Sequence, residues 1–273
     1  MVTTRNDTFQ QWSALLTNRT KRFRSRSFLV QGVTPIDVAV AHHWPLRALL
    51  YPPGTRSRWA DGLVSGPTPA RRVELAPALL AELGAKDGAV PEVVAVAAMP
   101  DDDLRRIGPA PTLVVIADRP ANPGNLGSLI RSADALGANG VVVAGHAVDP
   151  YDPRVIRASR GSLLAIPTIR VTAADQVLDW LAGHRVPPVV VGTGEDGDRP
   201  VWDHDFAAPT ALVVGNEAAG MSRAWVEACS VTVRIPMVGT ASSLNAAVAG
   251  SMALYEVFRQ RAGAAGRPDD PAP

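Results

Sequence analysis

Short apolar runs alternate with stretches of helical period along most of the chain, and the alternation is more regular in the second half than in the first. In the first half, residues 27–30, 46–51 and 93–97 read as strands and residues 35–42 and 76–83 as helices, which predicts a small α/β unit. The segment 52–69, rich in Pro, Gly and Arg, reads as an exposed loop. Residues 99–111 carry three consecutive aspartates and three prolines and read as a linker, with a boundary near residue 105. From Thr112 onward strands are expected over 112–117, 140–144, 189–191 and 211–214, and helices over 125–136, 174–182 and 243–261. These strands are continuously apolar rather than alternating, which implies a parallel sheet covered on both faces. The pattern gives domains over 1–105 and 106–262 and a small-residue, Pro-rich tail over 263–273 that is expected to be disordered.

Composition narrows the class. Of 273 residues 47% are apolar and 19% charged, which excludes a wholly disordered or fibrous chain. No apolar run approaches the roughly 18 residues of a membrane helix, and the first ten residues are polar, so a soluble, cytoplasmic protein is expected. Cys229 is the single cysteine, which rules out an internal disulfide and a thiolate zinc cage. The five histidines show no ligand spacing beyond His42 and His43, so no metal is expected.

The net charge of +1 hides a division. Residues 1–72 hold 11 Lys and Arg against 3 Asp and Glu, whereas the remainder holds 16 against 23. Five of the eight positions from 19 to 26 are basic (Arg19, Lys21, Arg22, Arg24 and Arg26), the footprint of a segment that contacts phosphates. In a chain with 25 Arg and two Lys, the same run can also be an ordinary solvated face.

Gly192, Gly194 and Gly197 spell GxGxxG directly after an expected strand, with Glu217 twenty residues on, as in a dinucleotide fingerprint. That motif needs its third glycine to open a helix facing a pyrophosphate. Here Asp198-Arg199-Pro200 follows, with further Asp and Pro to residue 209, so no helix is expected and a nicotinamide enzyme is disfavoured.

Three other turns are dense in Gly, Asn and polar residues where strands end: Asn122-Pro123-Gly124-Asn125-Leu126-Gly127 running on to Arg131, Gly215-Asn216-Glu217 running on to Gly220, and Arg234-Ile235-Pro236-Met237 followed by Ser242-Ser243-Leu244-Asn245. Ligands of open parallel sheets bind outside the carboxyl ends of strands, so three such turns point to one shared site. In order and spacing they resemble the three motifs of the SpoU/TrmH-type RNA 2'-O-ribose methyltransferases of the SPOUT superfamily. Arg157-Ala158-Ser159-Arg160-Gly161-Ser162 is similar to that family's loop between the first two motifs. The N-terminal part, with Phe28-Leu29-Val30-Gln31-Gly32-Val33, resembles the small RNA-binding domain such enzymes carry.

The resemblance implies a parallel-sheet methyltransferase domain with a C-terminal trefoil knot, preceded by a small α/β RNA-binding domain, and a homodimer that shares its active sites. It implies S-adenosylmethionine as cofactor, held by Thr193, Gly194, Gly215, Asn216, Ile235, Met237 and Leu244. Catalytic roles fall on Arg131, Asn122, Glu217, Ser243 and Asn245, with Asn125 and Ser222 left as helix caps. RNA contacts are expected from Arg19, Arg22, Arg24, Arg26 and Arg157. Ribosomal RNA is the preferred substrate and transfer RNA the alternative. A non-catalytic RNA-binding protein of the same fold is the competing class, because Ala246 and Ala247 replace the Val and Ser that usually follow the motif-three Asn.

Overall fold

The computed structural model describes residues 1–84, 90–110 and 112–264. Contacts divide the chain into one unit of Met1–Asp101 with Tyr151–Ala165, and a second of Asp102–Pro150 with the chain from Ile166 onward.

The first unit begins with α1 (Asp7–Thr17) and α2 (Arg19–Ser25), then β1 (Ser27–Gln31), α3 (Val33–Ala41), β2 (Leu46–Tyr51), α4 (Arg58–Ser65), β3 (Arg71–Glu74), α5 (Pro77–Leu83) and β4 (Val94–Ala98). Asn18 serves two helices: it ends α1, and its side chain accepts from Lys21 N to start α2. The sheet order is β1-β4-β2-β3, with β4 antiparallel to both neighbours and β2 parallel to β3. Trp12, Leu15, Leu50, Leu80 and Val96 pack one core on it. The segment expected as an exposed loop contains α4 instead. Ser57 caps that helix through Ala60 N, and Ala60 and Val64 are buried, so an N-cap and two buried apolar positions outweigh the surrounding Pro and Gly.

The second unit holds β5 (Leu113–Asp118), α6 (Pro123–Ala135) and β6 (Gly140–Ala144). The chain then supplies α7 (Pro153–Ser159) and α8 (Ser162–Ala165) to the first unit, where Tyr151 packs on Phe28 at 4.7 Å between ring centroids. It continues with β7 (Thr168–Val171), α9 (Ala174–Ala182), β8 (Val189–Thr193), β9 (Arg199–Pro200), β10 (Thr210–Val214), α10 (Arg223–Ala228), β11 (Val231–Arg234) and α11 (Ala246–Ala264). All seven strands are parallel, in the order β7-β6-β5-β10-β8-β11-β9. β5, β6 and β10 are buried along their whole length, as continuous apolar runs require. Strand order reverses between β5 and β10, which places a crevice at their carboxyl ends.

After β11 the chain returns to α11, which packs on α6 and β10, a route consistent with a C-terminal trefoil knot. The final helix starts at Ala246, not at Ser243, because the Asn245 side chain caps it by accepting from Ala247 N and Val248 N. It runs to Ala264, so from residue 265 the expected tail lies outside the described residues.

Candidate active site

The carboxyl ends of β8, β10 and β11 and the start of α11 enclose a cleft of about 360 Å³. Thr193, Gly194, Gly215, Asn216, Ile235, Met237 and Leu244 all line it, with Glu217, Ser243, the apolar Val214 and Val233, and the small Ala246, Ala249 and Ala253. Much of this wall is backbone. Gly215 has no alternative there, since a Cβ would lie 2.4 Å from Met221 N. The turn after it is closed by paired hydrogen bonds between Asn216 and Gly220 (3.0 and 2.9 Å), with Gly220 at φ +63°. Backbone N–H and C=O groups with small and apolar side chains suit an adenosyl group, whose base edge they can read without bulk.

Glu217 ties two of the motif turns together. Its carboxylate accepts from Ala121 N (3.0 Å), Asn122 N (3.1 Å) and Asn125 Nδ2 (2.9 Å). Burial opposes ionisation, but these donors outweigh it and hold the carboxyl below the usual carboxylate range. Asn125 passes the tie onward, its Oδ1 accepting from Asn245 Nδ2 at 2.9 Å. The cap expected at Asn125 falls on Asn122 instead. Asn122 is the N-cap of α6, its Oδ1 engaged by Gly124 N (2.7 Å) and Asn125 N (3.2 Å), while Asn125 links motif two to motif three. Pro123 was the available signal, because proline favours the first helical position and marks the residue before it as the cap.

Arg131 is exposed on α6 and has no hydrogen-bond or ion-pair partner among the described residues. It does not line the cleft. A second, mostly apolar cleft of about 490 Å³ shares Ile235 with the first and is lined by Asn125, Ser128, Trp202, Asn245, Met252 and Tyr255. Arg131 lies one turn along α6 from Ser128. Trp202, Val248, Met252, Tyr255 and Phe258 are 43–57% exposed, a concentration of apolar side chains uncommon on a surface.

Among the first-unit arginines, Arg22 departs from expectation. It is 2% exposed, donates from Nη1 to Leu15 O at 2.7 Å and lies 3.9 Å from Asp152 Oδ2, so it is a structural cation and not a surface one. Arg26 is paired with Asp101, and Arg19 stacks over the Phe23 ring at 5.5 Å. Arg24 and Arg157 are exposed without a partner among the described residues. GxGxxG is followed by β9 and a turn of 3₁₀ helix over Val201–Asp203, so no helix begins at the third glycine. Cys229 is half-buried rather than a full core residue, and burial pushes its thiol up to about 11, which leaves no thiolate nucleophile at neutral pH. Two residues that the sequence reading did not single out, Asp118 and Arg119, also hold the motif-two turn.

Residues 112–255 match the SpoU rRNA Methylase family and residues 6–95 the SpoU L30e-like domain. The chain is 54% identical over 266 residues to the 23S rRNA (uridine(2479)-2'-O)-methyltransferase of Streptomyces viridochromogenes, covering 95% of this chain and 92% of that protein. The crystal structure of the SpoU methyltransferase AviRb from the same organism, in complex with AdoMet, superposes with a TM-score of 0.89 at 53% identity, over 94% of this chain and 98% of that one. An AdoMet-bound rRNA methyltransferase from Sinorhizobium meliloti superposes at 0.82 with 30% identity, over 95% and 97%.

Proposed function

Because the chain belongs to the SpoU rRNA Methylase family, we propose that the cleft at the ends of β8, β10 and β11 is its S-adenosylmethionine site and that Arg131 carries the chemistry. The protein is an S-adenosylmethionine-dependent methyltransferase that modifies a ribose 2'-hydroxyl of ribosomal RNA. The observation that carries the site assignment is the convergence of all seven expected cofactor residues, from four separate segments, on one backbone-lined cleft. S-adenosylmethionine supplies an electrophilic methyl carbon on a sulfonium. Around it, Gly215, Ile235 and Leu244 present backbone to the adenine, and Thr193 and Gly194 close the wall beside them.

When bound, S-adenosylmethionine would supply the methyl carbon: the ribose 2'-oxygen would bond to it as the carbon–sulfur bond breaks with its electron pair left on sulfur, and the hydroxyl proton would pass to solvent water. A guanidinium keeps its protons at neutral pH and has no lone pair to take another, so Arg131 is not the base. It holds the phosphate beside the target ribose and stabilises the developing alkoxide, the kind of electrostatic contribution that usually dominates. The Glu217–Asn125–Asn245 chain keeps the three motif turns in register, and Ser243, at the cleft edge, orients the ribose. Glu217 is held toward its ionised form and engaged by four donors, so it positions and does not shuttle protons.

The protein acts as a homodimer in the cytoplasm, with the apolar face of α11 around Val248, Met252, Tyr255 and Phe258 against the partner. Among the described residues no helix is long and apolar enough to cross a membrane. RNA is gripped by Arg19, Arg24, Arg26 and Arg157 of the first unit. Methyl transfer proceeds without a metal. Incubation with tritiated S-adenosylmethionine and ribosomal RNA, with and without EDTA, followed by digestion to nucleosides, is expected to place label in a 2'-O-methylnucleoside in both arms. Label in a base, or activity lost on chelation, would overturn the reading. Light scattering is expected near 57 kDa, twice the 28.7 kDa chain; a fully active monomer would remove the dimer.

A further inference from the structure

The motif-two turn is held at two places, and at one of them the residues that hold it lie outside the motifs. Glu217 anchors it to the start of α6. The other anchor is the pair at the end of β5. Asp118 is 2% exposed, and its Oδ2 accepts from Ser222 N at 2.6 Å. Its carboxylate also faces the Arg119 guanidinium at 3.2–3.3 Å. Arg119 in turn donates from Nη2 to Gly220 O at 3.0 Å, and its own carbonyl accepts from Asn216 Nδ2 at 2.8 Å. Two adjacent residues thus bind the turn at positions 216, 220 and 222. Asn216 and Gly220 line the cofactor cleft, whereas Asp118 and Arg119 do not.

The backbone is bent to allow this. Arg119 sits at φ +52°, a left-handed conformation that a residue with a long side chain rarely adopts. Its N–H donates to Ala144 O at 2.9 Å, as a continuation of the β5–β6 ladder, and this fixes the bend. Next to it Gly145 is also left-handed, at φ +72°, and a Cβ there would lie 2.9 Å from Arg119 Cγ. The unusual conformation at one residue and the missing side chain at the other both serve to bring the guanidinium over the turn. Strain of this kind persists only where the surroundings enforce it, and it gathers at functional sites.

We infer that Asp118 and Arg119 form a clasp that sets the adenosine-reading conformation of the Gly215–Gly220 turn, making Arg119 a positioning residue for cofactor affinity and not for methyl transfer. This rests on the cleft being the S-adenosylmethionine site. Both anchors hold the turn, but Glu217 also connects it to Asn125 and Asn245 on the reaction side, whereas the clasp touches only the backbone that the adenosine meets and its immediate neighbours. Because S-adenosylmethionine and S-adenosylhomocysteine share their adenosine, loosening the clasp weakens both by the same factor.

The test is calorimetric titration of the full-length protein with each of the two ligands, together with kcat and KM for methylation of ribosomal RNA. Arg119→Ala is expected to weaken both ligands about 10- to 100-fold, the usual scale for hydrogen bonds to a charged group. The KM for S-adenosylmethionine should rise in step while kcat at saturating cofactor and the KM for RNA stay at wild-type values, the signature of lost uniform binding. Arg119→Gln, whose amide can still donate to Gly220 O, is expected to recover part of the affinity. Asp118→Asn keeps an acceptor for Ser222 N but loses the charge pair, and is expected to show a smaller loss of the same kind; these two variants decide the matter if Arg119→Ala does not fold. Wild-type affinity in folded Arg119→Ala, a fall in kcat without a rise in KM, or a loss restricted to S-adenosylmethionine would each overturn the clasp. Leu244→Arg, which fills the cleft, serves as the control. If it binds both ligands normally, the cleft assignment itself is wrong; if it abolishes binding while Arg119→Ala does not weaken it, only the clasp falls.

Discussion

The cleft of the second unit, the proposed cofactor site, is made mainly of backbone and small side chains on loops, whereas the cationic surface of the first unit is made of long side chains on a helix. In the cleft, consecutive residues cooperate: Thr193 with Gly194, Gly215 with Asn216 and Glu217, Ser243 with Leu244 all face one space, because an irregular loop can turn each residue toward the same ligand. On α2 consecutive residues separate. Arg22 and Arg24 are two positions apart, about 200° around the helix, and one is buried against Leu15 and Asp152 while the other is solvated. A run of like residues on a loop can therefore be one site, but on a helix it is divided between a face for folding and a face for binding.

The largest effect that can test this division is in the second unit. Arg131→Ala is expected to lower kcat about 100- to 1,000-fold, the usual loss for one charge-stabilising donor, while S-adenosylmethionine affinity stays within a few-fold. The split follows from Arg131 being exposed and outside the cleft proposed for the cofactor. Single-turnover methylation with calorimetry checks it, and a variant that no longer binds cofactor would move Arg131 into the cleft.

On α2 the comparison sharpens to a pair of substitutions. Arg22→Met keeps the aliphatic stem but leaves the buried Leu15 carbonyl without its donor and Asp152 with Arg154 alone, and is expected to cost about 2–3 kcal/mol of stability with little direct effect on RNA contacts. Arg24→Ala is expected to leave stability within about 0.5 kcal/mol, as for other surface substitutions, and to weaken RNA binding. Denaturant unfolding of both variants, side by side, decides; equal stabilities would erase the distinction between the two faces. A smaller effect separates RNA-contacting cations from merely exposed ones. Neutralising Arg24 or Arg157 should reduce the slope of log affinity against log salt by up to about 0.7–0.9 each, and an unchanged slope would remove that residue from the interface.

How much of this was readable beforehand follows from the same contrast. The cleft residues were legible because Gly and Asn at strand ends advertise loop chemistry, and the buried parallel strands because β5, β6 and β10 are continuous apolar runs. What escaped depends on three-dimensional partners. The short strands β3, β7 and β11, of four residues each, are too brief for a period. α7 and α8 belong by contact to a unit distant in sequence, where Tyr151 meets Phe28. The sequence points Arg22 at a phosphate because its partner, Asp152, is 130 positions away, and it leaves Asp118, just beyond the strand expected over 112–117, without a role because Ser222 lies 104 positions on. The cap falls on Asn122 and not Asn125 because either can cap a helix, and only the neighbouring Glu217 and Asn245 decide which one bridges.

The smallest expected effect is a response to acid that differs between the two units. Asp152 in the first unit and Glu217 in the second are both partly buried, which disfavours their charge, yet both are held below the usual carboxylate range, Asp152 chiefly by hydrogen bonds from Arg154 and Glu217 by Ala121 N–H and the Asn125 amide. A carboxyl with a depressed folded-state pKa contributes stability that is fully present above its unfolded value, about 3.9 for Asp and 4.3 for Glu, and is lost as the pH falls through the folded value. Tm is therefore expected to be insensitive to these two groups from pH 8 to about 5 and to decline below about pH 4, with a shallower decline in both Asp152→Asn and Glu217→Gln. The units part company in ligand binding. Protonating Glu217 removes acceptors from Ala121, Asn122 and Asn125 and loosens a turn that lines the cleft, so S-adenosylmethionine affinity should fall in the same acidic window. Glu217→Gln should already show reduced affinity at pH 7 and little further change on acidification. Asp152→Asn should bind cofactor as the wild type does at every pH, since Asp152 secures Arg22 and Arg154 in the other unit. Equal acid responses of cofactor affinity in the two variants would mean that the tie at Glu217 is not what holds the turn in place.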